Sequence, residues 1–181
     1  MFLTFDDGPF PETTEDLLLK LKELNIKATF FCSGKQISNH PYLVKLITKH
    51  GHLIGHHGYE HMNGWVTKNN TYIDDVKKSK QISKSILFRP PFGKMKWGQY
   101  SKLKTENKIV LWDNMPGDFE TSLSEDIVVT NFKKNIRDGS IIVLHDNPKS
   151  KVNCLAVLDS IKHDDKLLSR FKTLDCLLED L

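Results

Sequence analysis

The sequence predicts an α/β protein on a parallel sheet that rolls into an incomplete or distorted β/α barrel. Three observations carry this. Short apolar runs alternate with helix-spaced stretches from end to end, the pattern of successive βα units. The run at residues 141–144 is wholly apolar, as a strand covered on both faces must be. About seven such units share 181 residues, whereas a complete eight-stranded barrel takes about 250. A doubly wound open sheet is the alternative.

In order, the first strand covers residues 2–5 and ends at the turn formers Gly8 and Pro9. Thr13 to Asp16 reads as a capping box with Asp in place of Glu, and Leu17, Leu21 and Leu24 continue it as a helical stripe. Residues 28–31 are a short apolar and aromatic strand. Pro41 opens a helix carried by Leu43, Leu46 and Ile47 and ended by Gly51. Leu53 and Ile54 form a strand, 72–83 a helix, and Leu87 and Phe88 a strand cut off by Pro90 and Pro91. A polar helical stretch then leads to a strand at 109–111. Ser122 to Glu125 is a second capping box; Val128, Phe132 and Ile136 follow it, and Gly139 ends that helix. Beyond the apolar strand at 141–144 come a helix at 155–161, a last strand near Phe171 and a terminal helix from Asp175. No repeat, low-complexity tract or linker interrupts the pattern, so residues 1–181 read as one domain.

Hydrophobic residues make up 39% of the chain and charged residues 27%, as in soluble globular proteins. The net charge is +3, almost all of it from lysines that scatter or lie along helices as solvated faces do. Nucleic acid is therefore not an expected partner. No apolar run approaches the roughly 20 residues of a membrane span. Met1 sits almost against the first strand, which leaves no signal peptide in this chain. The chain reads as cytoplasmic unless a targeting segment precedes it. Cys32, Cys154 and Cys176 are odd in number, far apart and form no C-x-x-C. That argues against a disulfide framework or a structural zinc site, and each is expected as a small buried apolar residue.

The residues with chemical potential all follow strands, where β/α barrels place their chemistry. Asp6 and Asp7 end the first strand. Neighbouring strand side chains point to opposite sides, so two adjacent carboxylates share a site only where the strand gives way to a turn. There one can bind a metal while the other handles a proton. His57 and His61 stand at an H-x3-H spacing, on a helix or on a tight turn allowed by Gly58. Two histidines and a carboxylate leave open positions on a metal, a catalytic rather than a closed arrangement. Arg89 precedes the rigid Pro90-Pro91-Phe92-Gly93 turn, placed to pair with and aim a buried carboxylate. His145 ends the most apolar strand and faces the same mouth as a proton donor.

These residues resemble the NodB-type polysaccharide deacetylases of carbohydrate esterase family 4. The resemblance covers essentially the whole chain and five motifs in order. Thr4-Phe5-Asp6-Asp7-Gly8-Pro9 matches the first without change, His57 to His61 the second, and Arg89 to Phe92 the third. Trp112 to Phe119 occupies the fourth, usually D-x-x-D-W, and Val143-Leu144-His145 the fifth, usually L-x-H. The resemblance implies a distorted, incomplete (β/α)7 barrel. By position it implies Asp6 as general base, Asp7, His57 and His61 as ligands of one divalent ion, Arg89 as the holder of Asp6, and Asp118 as the partner of the general acid His145. It implies that the Phe92 backbone N–H stabilises the oxyanion and that Phe119 and Val143 line a pocket for the acetyl methyl. Zinc is the expected ion, with cobalt and manganese as alternatives. The expected activity removes N-acetyl groups from an N-acetylglucosamine-containing polysaccharide or oligosaccharide, peptidoglycan or chitin-like, with release of acetate. The protein is expected to act as a monomer, in a family often exported to the cell envelope.

Three departures stand out. Met115 occupies the place of the first Asp of the fourth motif, Phe119 that of the Trp, and Val143 that of the Leu. The last two keep the pocket apolar. Trp65 and Trp97 lie on loops and, with Tyr59, are expected around the mouth to stack on sugar rings. The competing readings are an O-acetyl esterase, a deacetylase or deformylase of a lipid-linked or small amino sugar, and a carbohydrate-binding module without catalysis. The intact acid, base and metal set argues against the last.

Overall fold

The computed structural model describes residues 1–178. In chain order it comprises β1 (Phe2–Asp7), α1 (Pro11–Glu23), β2 (Thr29–Cys32), α2 (Gly34–Asn39), α3 (Pro41–Lys49), β3 (Leu53–His56), α4 (Asn69–Ser83), β4 (Leu87–Phe88), α5 (Trp97–Leu103), β5 (Lys108–Ile109), α6 (Glu125–Asn135), β6 (Ile141–His145), α7 (Lys151–Asp159) and α8 (Asp165–Leu168). Short 3₁₀ turns cover Pro91–Gly93 and Leu174–Leu177. The strands form one parallel sheet in the order β5-β4-β3-β2-β1-β6. Beyond β5 the chain crosses towards the other edge. Val110 N–H still donates to Phe88 O on β4, yet Asn114 already forms a parallel bridge with Ile142 on β6. The sheet thus curls almost onto itself, and the fold is an incomplete α/β barrel.

Strand alternation sorts the side chains into two cores. Leu3 and Phe5 of β1 face the helices with Phe30, Ile142 and Leu144, and the Phe5 and Phe30 rings stack 4.8 Å apart. Each such buried side chain contributes roughly 1.5–3 kcal/mol. Phe31, Leu87 and Val110 fill the inside of the curl. Gly55 is needed there, because a Cβ would sit 2.5 Å from the Phe31 ring. Above Phe31 the inward positions of β1 are Thr4 and Asp6, and in-register pairing sets Asp6 beside His145 on β6 and Phe31 on β2.

Several boundaries differ from those the sequence predicts, each for a local reason. The helix expected to begin at a Thr13 capping box begins at Pro11; the Thr14 hydroxyl instead accepts from Phe10 N–H and donates to Asp146. Ser124, not Ser122, is the N-cap residue of α6, and the Ser122 hydroxyl turns to Glu120. Helix α2 has too short an apolar pattern to be anticipated; the Ser33 hydroxyl caps it by accepting from Gln36 N–H. β5 stops at Ile109 because the carbonyls of Val110 and Leu111 turn to the Arg89 guanidinium. The strand near Phe171 is a single bridge between Lys172 and Phe2. The terminal helix is a 3₁₀ turn at Leu174–Leu177, with residues 179–181 of that expectation outside the described residues. Cys32 and Cys154 are buried as expected, whereas Cys176 is exposed.

Arg89, at the end of β4, is 0% exposed. One guanidinium serves four acceptors: the Thr4 hydroxyl (2.6 Å), Asp6 Oδ1 (2.7 Å), Val110 O (3.3 Å) and Leu111 O (3.2 Å). It also lies 4.1 Å from the Phe31 ring centroid. Removing one partner of a buried ion pair leaves an uncompensated charge. Arg89→Met is therefore expected to cost roughly 3–5 kcal/mol, read as a lower urea midpoint. Arg89→Lys should recover only part of that, since a point ammonium cannot match the planar fork. An unchanged midpoint in Arg89→Met would show that the curl does not depend on the guanidinium.

Candidate active site

The two adjacent carboxylates share one cleft because the chain breaks its strand geometry between them. Asp6 is the last inward residue of β1, whereas Asp7 takes a left-handed conformation with φ of 80°. That twist brings Asp7 round to the cleft instead of the helix layer. Asp6 Oδ1 is fixed by Arg89, and the Thr4 hydroxyl between them donates onward to Ile142 O at 2.7 Å. Asp7 Oδ2 accepts from the Asn147 amide at 2.8 Å, and Asp7 Oδ1 faces His61 Nε2 at 3.2 Å and His57 Nε2 at 3.9 Å. Burial alone would push the Asp7 carboxyl upward, but the contact with His61 and the charges of His57 and His145 outweigh it and hold it well below the usual range.

His57 and His61 lie on a tight loop after β3, not on a helix. Gly58 (φ 71°) and His61 (φ 55°) make the turn. Asp75, buried on α4, receives the backbone N–H groups of Tyr59 (2.8 Å) and Glu60 (2.9 Å) and so clamps this loop from below. A Cβ on Gly58 would meet the Asp75 carboxylate at 2.9 Å. The other end is set by His57 Nδ1, 2.7 Å from Arg89 O. A carbonyl can only accept, so Nδ1 carries the proton and Nε2 presents its lone pair to the cleft. Burial also lowers the His57 pKa and keeps the ring neutral. Donor atoms of Asp7, His57 and His61 lie within 4.8 Å of one another. A neutral imidazole of fixed tautomer, a second imidazole and an ionised carboxylate suit a divalent ion.

Opposite them, His145 ends β6. Asp118, fully buried, grips it twice: Oδ1 lies 2.9 Å from His145 Nδ1, and Oδ2 accepts its backbone N–H at 2.7 Å. Burial lowers the His145 pKa, but the Asp118 hydrogen bond and charge, with Asp6 and Asp7 beyond, overcome it and raise it to about 9. The ring therefore holds its proton at neutral pH. The Phe119 ring meets it edge-on at 5.0 Å.

Asp6, Asp7, His57, His61, His145 and Asn147 line one cleft of about 460 Å³, with Arg89, Asp75 and Asp118 buried behind them. Phe92, Phe119 and Val143 stand on its wall, together with Trp112 and Met115. Phe92 takes φ of 60° on the 3₁₀ turn and meets His61 edge-on at 4.7 Å. Next to it Gly93 admits Trp112, whose ring would sit 2.8 Å from a Cβ there. Trp65 and Trp97 are not on the wall. Trp97 is 78% exposed and stacks on Tyr100, while Trp65, 60% exposed, lies under the ammonium of Lys94, itself a wall residue. Tyr59 lines a neighbouring hollow that shares Asp7, His61 and Asn147 with the cleft. Asn147, Asp75 and Trp112 were not singled out from the sequence. Only Trp112 carried a signal, as the first residue of the fourth motif.

The comparisons with known proteins agree with this geometry. Residues 1–106 match the family model described as polysaccharide deacetylase. A peptidoglycan-N-acetylglucosamine deacetylase of Bacillus cereus is 33% identical over 178 residues, which cover 94% of this chain and 62% of that protein. A second from the same organism is 35% identical over 185 residues, covering 97% of this chain and 86% of that protein. The crystal structure of a peptidoglycan N-acetylglucosamine deacetylase with a bound N-hydroxybenzamide superposes with a TM-score of 0.89 at 32% identity, over 97% of this chain and 86% of the other. The chain belongs to the polysaccharide deacetylase family.

Proposed function

We propose that residues 1–181 form one deacetylase domain, acting as a monomer, that hydrolyses N-acetyl groups of an N-acetylglucosamine-containing glycan and releases acetate. One observation carries the reading. A ligand-ready Asp7–His57–His61 set, an Arg89-held carboxylate and an Asp118-held imidazolium face each other in a single cleft. The relatives support the substrate class, and every group the reaction needs comes from this one chain.

A divalent ion, with zinc favoured by the imidazole-rich donor set, would supply the charge that polarises the acetamide carbonyl and acidifies water. Asp6, held by Arg89 through one oxygen, keeps the other for the proton of the attacking water. The backbone N–H of Phe92, a residue of the cleft wall, would stabilise the developing oxyanion. His145 presents Nε2 to the cleft, since Nδ1 is engaged by Asp118, and delivers its proton to the departing amine. Trp112, Met115, Phe119 and Val143 exclude water around the acetyl methyl. Acetate assayed from a panel of N- and O-acetylated glycans, with and without chelator, tests the reading. Release from O-acetyl esters alone would replace it with the esterase alternative.

Loss of one of three ligands should leave a divalent ion poorly held. His57→Ala is expected to lose stoichiometric metal by elemental analysis. Asp6→Asn should keep the metal yet lose roughly 10²–10⁴ in kcat. A metal-loaded, fully active His57→Ala protein would overturn the ligand assignment.

The acid predicts a pH effect of definite sign. With its pKa raised from 6.5 to about 9, His145 stays protonated far above neutrality. Asp118→Asn removes the raising partner, so the alkaline limb of kcat should move to lower pH. The ion pair also adds stability that is fully present below about pH 6.5 and lost as pH rises through about 9. The wild-type advantage over Asp118→Asn in denaturant midpoint should shrink across that window.

A further inference from the structure

Two features outside the cleft fall on the same part of the surface. The first is apolar. Val66 and Trp97, 81% and 78% exposed, are the two most exposed large hydrophobic side chains among the described residues, and Trp65 is 60% exposed. Single exposed apolar side chains are ordinary, whereas a cluster marks a contact. These three stand on the loop before α4 and at the start of α5, and the two segments are tied together. Lys96 Nζ donates to Thr67 O at 2.8 Å, and the Gln99 amide donates to Gly64 O at 3.0 Å. A Cβ on Gly64 would sit 2.4 Å from Lys94 O, so the two backbones touch. The second feature is charge. Residues 68–108 hold ten lysines and Arg89 against Asp74, Asp75 and Glu106, a net +8, while the rest of the chain has 15 basic and 20 acidic side chains, a net −5. Arg89 and Asp75 are buried and offset each other, and none of the ten lysines is buried, so the excess faces solvent. Part of it stands at the apolar ridge. The Lys94 ammonium lies 5.0 Å from the Trp65 ring centroid, and the Lys104 ammonium 5.5 Å from that of Tyr100, on which Trp97 stacks. Lys68, the N-cap residue of α4, follows Val66 by two positions.

Different partners would use this ridge differently. A dissolved polyanion engages the ammonium groups and leaves Val66 in water. A sugar chain stacks on free aromatic faces, yet Tyr100 already covers one face of Trp97, and Val66 offers a sugar no platform. An anionic bilayer uses every part: phosphates meet the lysines, indole rings settle at headgroup level, and an aliphatic tip enters the acyl boundary. We propose that the ridge of Trp65, Val66 and Trp97, with Lys68 and Lys104 beside it, docks the protein on an anionic phospholipid surface. The proposal is independent of the deacetylase reading. Because Lys94 also belongs to the cleft wall, docking holds the mouth of the cleft beside the lipid.

Co-sedimentation of the chain with lipid vesicles tests this without any assay of activity. Binding to mixed phosphatidylcholine–phosphatidylglycerol vesicles should exceed binding to phosphatidylcholine vesicles by roughly tenfold or more and should weaken as ionic strength rises. Val66→Asp removes the apolar tip at an uncovered side chain, and should lower the partition coefficient about tenfold with no change in melting temperature. Leu19→Asp makes a like change at an exposed position of α1 and should bind as wild type does. Lys68→Gln and Lys104→Gln should each lower the partition coefficient about fivefold. Equal losses for Val66→Asp and Leu19→Asp would reduce the effect to net charge and overturn the placement on this ridge. Absence of vesicle binding, or equal binding to both vesicle types, would overturn the proposal. Retention by an insoluble acetylated glycan that Val66→Asp abolishes, without vesicle binding, would also overturn it and give the ridge to the glycan.

Discussion

One enclosed guanidinium organises this molecule. Arg89 reaches from the end of β4 to Thr4 and Asp6 on β1 and to the carbonyls of Val110 and Leu111, where the sheet would otherwise have an unsatisfied seam. Buried carbonyls need donors, and the two that leave the β5 ladder find theirs here. The same residue acts through its backbone, since Arg89 O receives the His57 Nδ1 proton. Its side chain therefore aims the Asp6 carboxylate while its main chain sets the tautomer of His57. Closing the curl and preparing the chemistry are one set of bonds.

How much of this could be read from the chain follows from what each residue answers to. Strand ends and the polar residues after them were readable because apolar runs stop abruptly at Asp6, His56, Phe88 and His145. A parallel sheet in register must then bring those stops to one level. That Arg89 would pair with a buried carboxylate was expected from its place before a rigid turn, whereas its partner Asp6 and the pairing of Asp118 with His145 came from the family resemblance. What escaped depended on contacts far apart in sequence. Asp75 looks like an ordinary acidic residue on a polar helix, and only the fold puts it under the loop of Tyr59 and Glu60. Asn147 gains meaning only beside Asp7. Trp97, expected on a loop, instead opens α5 and stacks on Tyr100, a packing contact that sequence spacing does not reveal. Helix starts went astray where a threonine or serine that could cap was recruited by another partner.

The site also concentrates backbone strain. Asp7, His61 and Phe92 all have positive φ and all line the cleft. Non-glycine residues in that region cost on the order of 1–3 kcal/mol each and persist only when their surroundings over-determine them. Here the surroundings are identifiable: Asn147 on Asp7, the Asp75 clamp below His61, and the Trp112 ring packed over Gly93 beside Phe92. Left-handed twists turn side chains that would otherwise diverge into one volume. Rigidity at this mouth is thus borrowed from helix α4 and from the loops after β5 and β6.

The strand order has a consequence in time as well as space. Of these strands β1 leaves the ribosome before the others, yet one of its two neighbours, β6, lies roughly 140 positions downstream. Through most of synthesis β2 can pair with β1 on one side while the other edge keeps its N–H and C=O groups open. Such an edge is a template for wrong pairing, and the nascent chain must carry it until Ile141–His145 emerges. Because Asp6 pairs in register with His145 across that late seam, the two sides of the cleft are brought together by the same event that covers the edge. A chain cut short before β6 would lack more than His145; it would remain adhesive.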